Sequence, residues 1–367
     1  MITKENEPLA PFTTFGIGGP ARWFVEATSE EEIVEATTWA RERGLALFVL
    51  GGGSNLLVSD SGFDGLVLRV GLRGVDVVEA EVGADEAALG RPSAMGQQVY
   101  RAFAGEDWDD FVERTLQDNC AGVECLAGIP GTVGGTPVQN VGAYGQEVAS
   151  AIELVRGFDL KEQVFVEFSA SECGFAYRHS RFNSADRDRY IVTRVDYRLT
   201  PGGEPTLRYA DLLRALREGK AGGGQPSLAE VAGIVRKVRQ TKGMLLVEGD
   251  PDCRSAGSFF KNPVVTEEQL RRIAAGSEKE PARFPAGAGP ENAGRVKVPA
   301  AWLIEQSGFV KGYAVGAAGI SSRHTLALIN RGGASAAEVL GLASEIADAV
   351  EDRFGIRLER EPVLVGF

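Results

Sequence analysis

Apolar positions along the chain change period several times, and each change marks an element. Ala21–Ala27 reads as a strand, and Leu45–Leu50 is an unbroken apolar run, the pattern of a strand buried on both faces. Between them Ile33, Ala36, Thr37 and Ala40 fall on one helical face. That helix starts at Thr28-Ser-Glu-Glu-Glu32, where a hydroxyl caps the first turn and the acids complement its dipole, and Gly44 stops it. Further strands are predicted at Leu66–Val70, Val75–Val78, Gln97–Phe103, Ala151–Phe158, Gln163–Ser169 and Tyr190–Leu199, with a helix from about Asp109 to Cys120.

After Thr200 the pattern changes. Pro201-Gly-Gly and Lys220-Ala-Gly-Gly-Gly-Gln-Pro226 bracket Tyr209–Leu213 and mark a domain junction. Beyond it, helices are predicted over Ser227–Arg239, Thr266–Ala274, Ala300–Gln306 and Ser335–Arg353. Gly257–Pro263, Thr325–Asn330 and Ile356–Val365 read as strands. The acidic, alanine-rich Glu79–Pro92 segment reads as an extended, solvent-facing hairpin loop.

Two glycine-rich loops lie where a strand would end, Leu50-Gly-Gly-Gly-Ser-Asn-Leu56 and Gly128-Ile-Pro-Gly-Thr-Val-Gly-Gly135, the second continuing through Gln139-Asn-Val-Gly-Ala-Tyr144. Consecutive main-chain N–H groups unobstructed by side chains form nests for anions, above all nucleotide phosphates. Neither loop is a P-loop, since GxxxxGK[ST] is absent, and neither fits the dinucleotide fingerprint, since a strand rather than a helix follows Asn55. Tight turns alone would explain one such loop; two point to a large diphosphate gripped from two sides.

Length and charge narrow the partners. The 367 residues exceed one ordinary core, and the net charge of −12 argues against nucleic acid or anionic membrane. Four cysteines without a CxxC pair and only two histidines speak for reduced buried thiols rather than a metal site. No secretory signal and no run near the roughly 20 apolar residues of a membrane span is present, so a cytoplasmic protein without membrane insertion is expected.

The motifs resemble a known family. Thr14-Phe-Gly-Ile-Gly-Gly-Pro-Ala21, both glycine loops, Tyr177-Arg-His-Ser180, Gly257-Ser-Phe-Phe-Lys-Asn-Pro263 and Ala301-Trp-Leu-Ile-Glu-Gln306 are similar, in order, to segments of UDP-N-acetylenolpyruvoylglucosamine reductases. The resemblance implies an α+β fold: a two-subdomain FAD-binding fold of the vanillyl-alcohol oxidase type plus a C-terminal α+β substrate domain. The implied limits are 1–200 for the flavin domain (subdomains about 1–70 and 71–200), 201–355 for the UDP-sugar domain, and 356–367 for a terminal strand with a catalytic glutamate. It also implies NADPH-dependent reduction of UDP-N-acetylglucosamine enolpyruvate to UDP-N-acetylmuramate through FAD, by a monomer serving peptidoglycan synthesis.

Site residues carry over position by position. Gly51, Gly52, Gly53, Ser54 and Asn55, with Gly128, Ile129, Pro130, Gly131, Gly134 and Gly135, would wrap the FAD diphosphate, and Gln139, Asn140, Gly142, Ala143 and Tyr144 would continue along the cofactor. FAD is expected to be noncovalent, because neither His179 nor Cys125 has a tethering context. Arg178 matches the enolate stabiliser, suited by its bidentate, permanently charged guanidinium. Ser258 matches the proton donor; strand parity groups it with Phe260 and Asn262, and as a weak acid it needs a relay. Glu361 matches a catalytic glutamate, expected either to be protonated through burial or to pair with Arg178. Tyr177, Tyr209, Lys242, Asn262 and Gln306 match substrate-binding positions, whereas His324 reads as structural. The Glu81–Pro92 hairpin and Val247–Arg254 look inserted relative to the family pattern.

Two other readings compete. A flavin oxidase of a sugar or hydroxy acid would lack Gly257–Pro263 and Tyr177–Ser180 as a set, and a non-catalytic nucleotide-sugar-binding regulator would have lost Arg178, Ser258 or Glu361.

Overall fold

Tyr190–Pro201 is a strand of 12 residues, most of them buried on both faces. The computed structural model describes residues 1–79, 96–219, 225–277, 279–286 and 292–367. The chain divides into two compact units: Met1–Thr3, Phe24–Gly52 and Leu66–Arg239, and then Lys4–Trp23, Gly53–Gly65 and Gln240–Phe367. Their mixture of helices and antiparallel strands is α+β.

In the first unit, Tyr190–Pro201 lies at the middle of a six-stranded sheet. Ile152–Asp159 and then Val164–Ser169 flank it on one side, Gln98–Phe103 and then Val75–Glu79 on the other, all antiparallel. Cys120–Ala121 pairs with its last residues, Thr200 and Pro201. The arms of the acidic hairpin therefore meet, Glu79 opposite Gln98; its Glu81–Pro92 tip lies outside the described residues. The helix Glu30–Glu42 buries the expected face, Ile33, Ala36, Thr37 and Ala40, behind a Ser29 cap.

Against this sheet sits the helix Trp108–Gln117, whose cap is Asp107, two residues before the predicted start. It ends early because Asn119 takes a φ of +50° and Cys120 joins the sheet. Trp108, Phe111 and Tyr197 form one aromatic cluster, with Phe111 and Tyr197 ring centroids 4.8 Å apart. Each buried ring removes apolar area worth about 1.5–3 kcal/mol from water. Their polar tips reach outward: Trp108 Nε1 donates to the Leu126 carbonyl at 3.0 Å, and the Tyr197 hydroxyl lies 2.6 Å from that of Thr136. These bonds fix both ends of the second glycine loop.

In the second unit the helix Ala336–Phe354 is closed by a Ser335/Glu338 capping box and by Gly355 at φ +68°. It buries Val339, Leu342, Ile346 and Val350 in a core with Leu270 and Ile273 of Glu267–Ala275 and Leu303 and Ile304 of Ala300–Gln306. The predicted strand Ile356–Val365 shrinks to Val363–Val365. Ile356 and Leu358 turn into this core instead, and Pro362 has no N–H for a ladder. The short strand pairs in parallel with Leu56–Val58, which directly follows the first glycine loop.

One helix, Ala210–Gly219, was not anticipated. It begins after Tyr209 without a Ser, Thr, Asp or Asn cap, which removes the usual start signal, although Leu212 and Leu216 are both buried at helical spacing. All four cysteines are buried and form no disulfide. Among the described residues, no helix is long and apolar enough to cross a membrane.

Candidate active site

Gly51 and Gly52 of the first glycine loop meet the second loop within the first unit. A Cβ on Gly52 would lie 2.5 Å from Gly131 Cα and 2.9 Å from Thr132 N, so only glycine allows the two backbones this close. Gly134 is similarly constrained by Ala104, with 2.6 Å between Cβ positions. Gly128 is gripped at both polar ends: its N–H donates to Asp109 Oδ1 at 2.7 Å and its carbonyl accepts from Arg239 Nε at 2.9 Å. Arg236 holds the same Asp109 carboxylate at 2.8 Å. Burial draws the Arg239 guanidinium below its ordinary range.

The hydroxyl of Thr132 is buried yet has no hydrogen-bond partner among the described residues, and it stands 3.1 Å from where a Gly51 Cβ would be. An orphaned buried hydroxyl costs about 1–3 kcal/mol unless something bonds it. A glycine cradle that a Cβ would fill and an unmatched hydroxyl beside it suit the diphosphate of FAD. Ile129, Pro130 and Gly131 continue the cradle half-buried, and Gly135 is exposed.

Gln139, Asn140, Gly142, Ala143 and Tyr144 lead into a two-stranded hairpin, Gly142–Ala143 with Gln146–Glu147. Tyr144 at φ +50° and Gly145 at φ +83° make its tip, a pair of positive φ angles that suits a two-residue hairpin. Asn140, almost fully buried, bonds Glu147 Oε2, the Ala176 carbonyl and the Ala149 N–H, so its side chain braces this hairpin. Ala176 and His179 exchange both main-chain bonds at 3.0 Å, closing a turn over Tyr177 and Arg178. Arg178 takes φ +54°, a conformation that costs a non-glycine residue about 1–3 kcal/mol. Its Nη2 donates to the Gly142 carbonyl at 2.9 Å, and its guanidinium lies 5.4 Å from the Tyr177 ring.

In the second unit, Gly53 has φ +63°, and a Cβ there would stand 1.8 Å from the Phe12 carbonyl oxygen. Thr14 ties the neighbourhood together, with its N–H on the Gly53 carbonyl and its hydroxyl on the carbonyls of Ser54 and Ser255. Asn55 Nδ2 donates to the Glu361 carbonyl at 3.4 Å, and the Asn55 carbonyl accepts the Val363 N–H at 2.9 Å.

Ser258 and Glu361 are brought together here. Phe260 and Arg360 form an antiparallel bridge, and the Glu361 N–H donates to the Phe259 carbonyl at 2.9 Å. Gly257–Pro263 is nevertheless not a regular strand. Phe259 and Phe260 are 1% and 2% exposed, so neighbours of opposite parity are both buried, and alternation does not place Ser258. Gly257, at φ +70°, precedes the half-buried Ser258.

The substrate-binding candidates divide. Asn262 spends its Oδ1 on the Ala300 N–H at 2.9 Å, at the start of the helix that ends in Gln306. The Gln306 carbonyl accepts from Arg353. Lys242 is half-buried near His324, whose pKa is pushed down to about 4 by burial first and then by the charges of Lys242 and Lys311. Tyr209 belongs to the first unit and packs edge-on against Tyr144 at 5.4 Å.

Thr132, Asp109, Arg239 and Thr14 escaped the sequence reading. Thr132 had a visible signal, a hydroxyl inside the glycine loop, whereas Asp109 and Arg239 act across 19 and 111 residues of chain.

Two stretches of the chain match known families. Residues 21–160 match the FAD binding domain family, and residues 250–365 match the C-terminal domain family of UDP-N-acetylenolpyruvoylglucosamine reductase. The UDP-N-acetylenolpyruvoylglucosamine reductase of Streptomyces coelicolor is 44% identical over 99% of this chain and 90% of its own. That of Thermobifida fusca is 44% identical over 99% and 98%. The crystal structure of the Thermus caldophilus reductase superposes with a TM-score of 0.63 at 26% identity, covering 99% of this chain and 100% of that one.

Proposed function

The chain belongs to the UDP-N-acetylenolpyruvoylglucosamine reductase family, and from that premise we propose that it reduces UDP-N-acetylglucosamine enolpyruvate to UDP-N-acetylmuramate with NADPH. The setting is cytoplasmic peptidoglycan precursor synthesis, and the working unit is a monomer without nucleic-acid or membrane partners. In this reading 1–200 holds noncovalent FAD, 201–355 takes the UDP-sugar and 356–367 supplies Glu361.

Bound FAD supplies the hydride chemistry that links NADPH to C3 of the enolpyruvyl group. Gly51, Gly52, Ile129, Gly131 and Thr132 would hold its diphosphate through main-chain N–H groups and the unmatched hydroxyl, while Gly128, its N–H already on Asp109, and Pro130, which has none, shape the turn. As C3 gains hydride, negative charge develops at C2 and spreads into the carboxylate. Arg178 would bind that carboxylate through two N–H groups and favour the charge it develops. Ser258 would deliver the proton to C2 and be reprotonated by a relay, with Glu361 orienting the donor. Lys242, Tyr177, Tyr209, Asn262 and Gln306 would bind the UDP-sugar, Asn262 through its remaining amide N–H groups. The observation that carries the residue roles is the bridge of Ser258's segment to that of Glu361, two motifs far apart in sequence joined main chain to main chain.

Anaerobic stopped-flow absorbance of the flavin band tests the reaction. NADPH should bleach the protein, and only the enolpyruvyl substrate should restore its colour; recovery only on admitting air would replace this reading with an oxidase. Ser258→Ala should leave the NADPH half-reaction intact and slow the second by about 10²–10⁴-fold. Equal slowing of both halves would remove Ser258 from proton transfer.

A further inference from the structure

Glu124 is a carboxylate with no solvent exposure, and nothing in the reaction above uses it. Its Oε2 accepts the Gly122 N–H at 2.8 Å, and its Oε1 accepts Gln146 Nε2 at 3.1 Å and the Thr206 N–H at 2.7 Å. Gln146, 5% exposed, also approaches the Thr206 hydroxyl at 3.3 Å and accepts the Cys125 N–H at 2.8 Å. The Cys125 thiol donates to the Thr206 carbonyl at 3.2 Å. Burial, with the Glu124 charge beside it, pushes that thiol up to about 12, so it stays a neutral donor. Thr206 is thus held at its N–H, its carbonyl and its hydroxyl.

Three residues later comes Tyr209, 38% exposed, at the start of the helix Ala210–Gly219. Its ring meets Tyr144, the tip of the Gly142–Glu147 hairpin, edge-on at 5.4 Å and 88°. Beside it, a Cβ on Gly145 would stand 3.2 Å from Arg208 Cβ. Gln146 lies on the second strand of that hairpin, and Arg178 bonds the carbonyl of Gly142 on the first. One small hairpin therefore fixes Arg178 on one side and the root of the Tyr209 segment on the other. Burying a carboxylate costs several kcal/mol and is offset only when its acceptor sites are filled, as they are here. A buried charge of this kind is suited to fixing register rather than to adding stability.

We propose that Glu124 and Gln146 are positioning residues: they hold Thr206 as the fixed root of the Tyr209 segment and so set where Tyr209 meets the diphosphate of the UDP-sugar. The inference rests on the reading of Tyr209 as a diphosphate contact, and the test separates the two.

A double-mutant cycle of Glu124→Gln with Tyr209→Phe in the full-length FAD-loaded enzyme reads the coupling. Glu124→Gln replaces an acceptor of three bonds by an amide with a single acceptor oxygen. It should raise KM for the enolpyruvyl substrate by about tenfold, leave flavin reduction by NADPH unchanged, and add little once Tyr209 is already Phe. Full additivity, or equal slowing of both half-reactions, overturns the positioning role. If Tyr209→Phe by itself leaves KM unchanged, the Tyr209 reading fails and the inference falls with it. If only Tyr209→Phe raises KM, the inference alone fails. Should Glu124→Gln lose its flavin and its thermal transition, Thr206→Val carries the test, since it removes the hydroxyl contact without stranding a charge. It should raise KM by about threefold in the wild-type background and not in Tyr209→Phe; an unchanged KM for Thr206→Val refutes the proposal.

Discussion

Both glycine loops are anchored by main-chain bonds, and they differ in how much distant side chains add. Gly53–Asn55 is held mostly by main chain: the N–H groups of Thr14 and Val363 and the Glu361 carbonyl, joined by the Thr14 hydroxyl on Ser54, with the Phe12 carbonyl where a Gly53 side chain would begin. Gly128–Gly135 has main-chain bonds of its own, from the Trp108 N–H to Gly131 and from the Val133 and Gly134 N–H groups to the Glu106 and Ala104 carbonyls, and adds side chains: Asp109 and Arg239 on Gly128, Trp108 and Tyr197 at its two ends. A loop fixed by backbone tolerates no change in its own residues but is indifferent to most distant ones. A loop that also leans on distant side chains passes part of its vulnerability to residues far away in sequence.

The difference has measurable consequences. The largest effect is expected at Gly53→Ala, where a positive φ and a contact of 1.8 Å to a carbonyl coincide. It should cost about 3 kcal/mol or more and yield protein with little bound flavin, read by urea denaturation and the absorbance of the purified protein. A stable, flavin-loaded Gly53→Ala protein would show that the main chain there yields. Next comes Arg239→Met, which strips the donor from the Gly128 carbonyl and should destabilise the apoprotein by about 1–3 kcal/mol in the same measurement. An unchanged or higher midpoint would mean that relief from burying the guanidinium outweighs the lost bond.

Thr132→Val should separate fold from cofactor. Its hydroxyl bonds nothing among the described residues, so the apoprotein should keep its stability while FAD binding weakens by about three- to tenfold, measured by flavin fluorescence. Unchanged affinity would remove Thr132 from the cradle. The smallest effect belongs to the second unit. His324 has a folded pKa of about 4, below its unfolded value, so its contribution is fully present above about pH 6.5 and is lost as pH falls towards 4. His324→Gln should flatten the urea midpoint between those limits, and an unaltered pH profile would show that the ring is not buried neutral.

Much of this was legible in the sequence because it is local. The face of Glu30–Glu42, the helix starting at Ser335 and the positions of both glycine loops follow from residues within a turn or two of one another. The helix Ala210–Gly219 was missed for the complementary reason: its apolar stripe is present but its cap is not. Alternation does not place Ser258, because both Phe259 and Phe260 find the core, which period-two reasoning excludes.

By itself the sequence determined most of the elements, the chemistry on offer and the family, since propensity, capping and glycine spacing act over short stretches of chain. Only tertiary structure decided that the last strand lies beside Leu56–Val58, that Glu361 is anchored next to Ser258, and that Asp109, Arg239 and Glu124 hold loops they do not neighbour. Those contacts are chosen by burial and by the need of each buried N–H, carbonyl and charge for a partner, and such partners are selected by proximity in space, which sequence order does not encode.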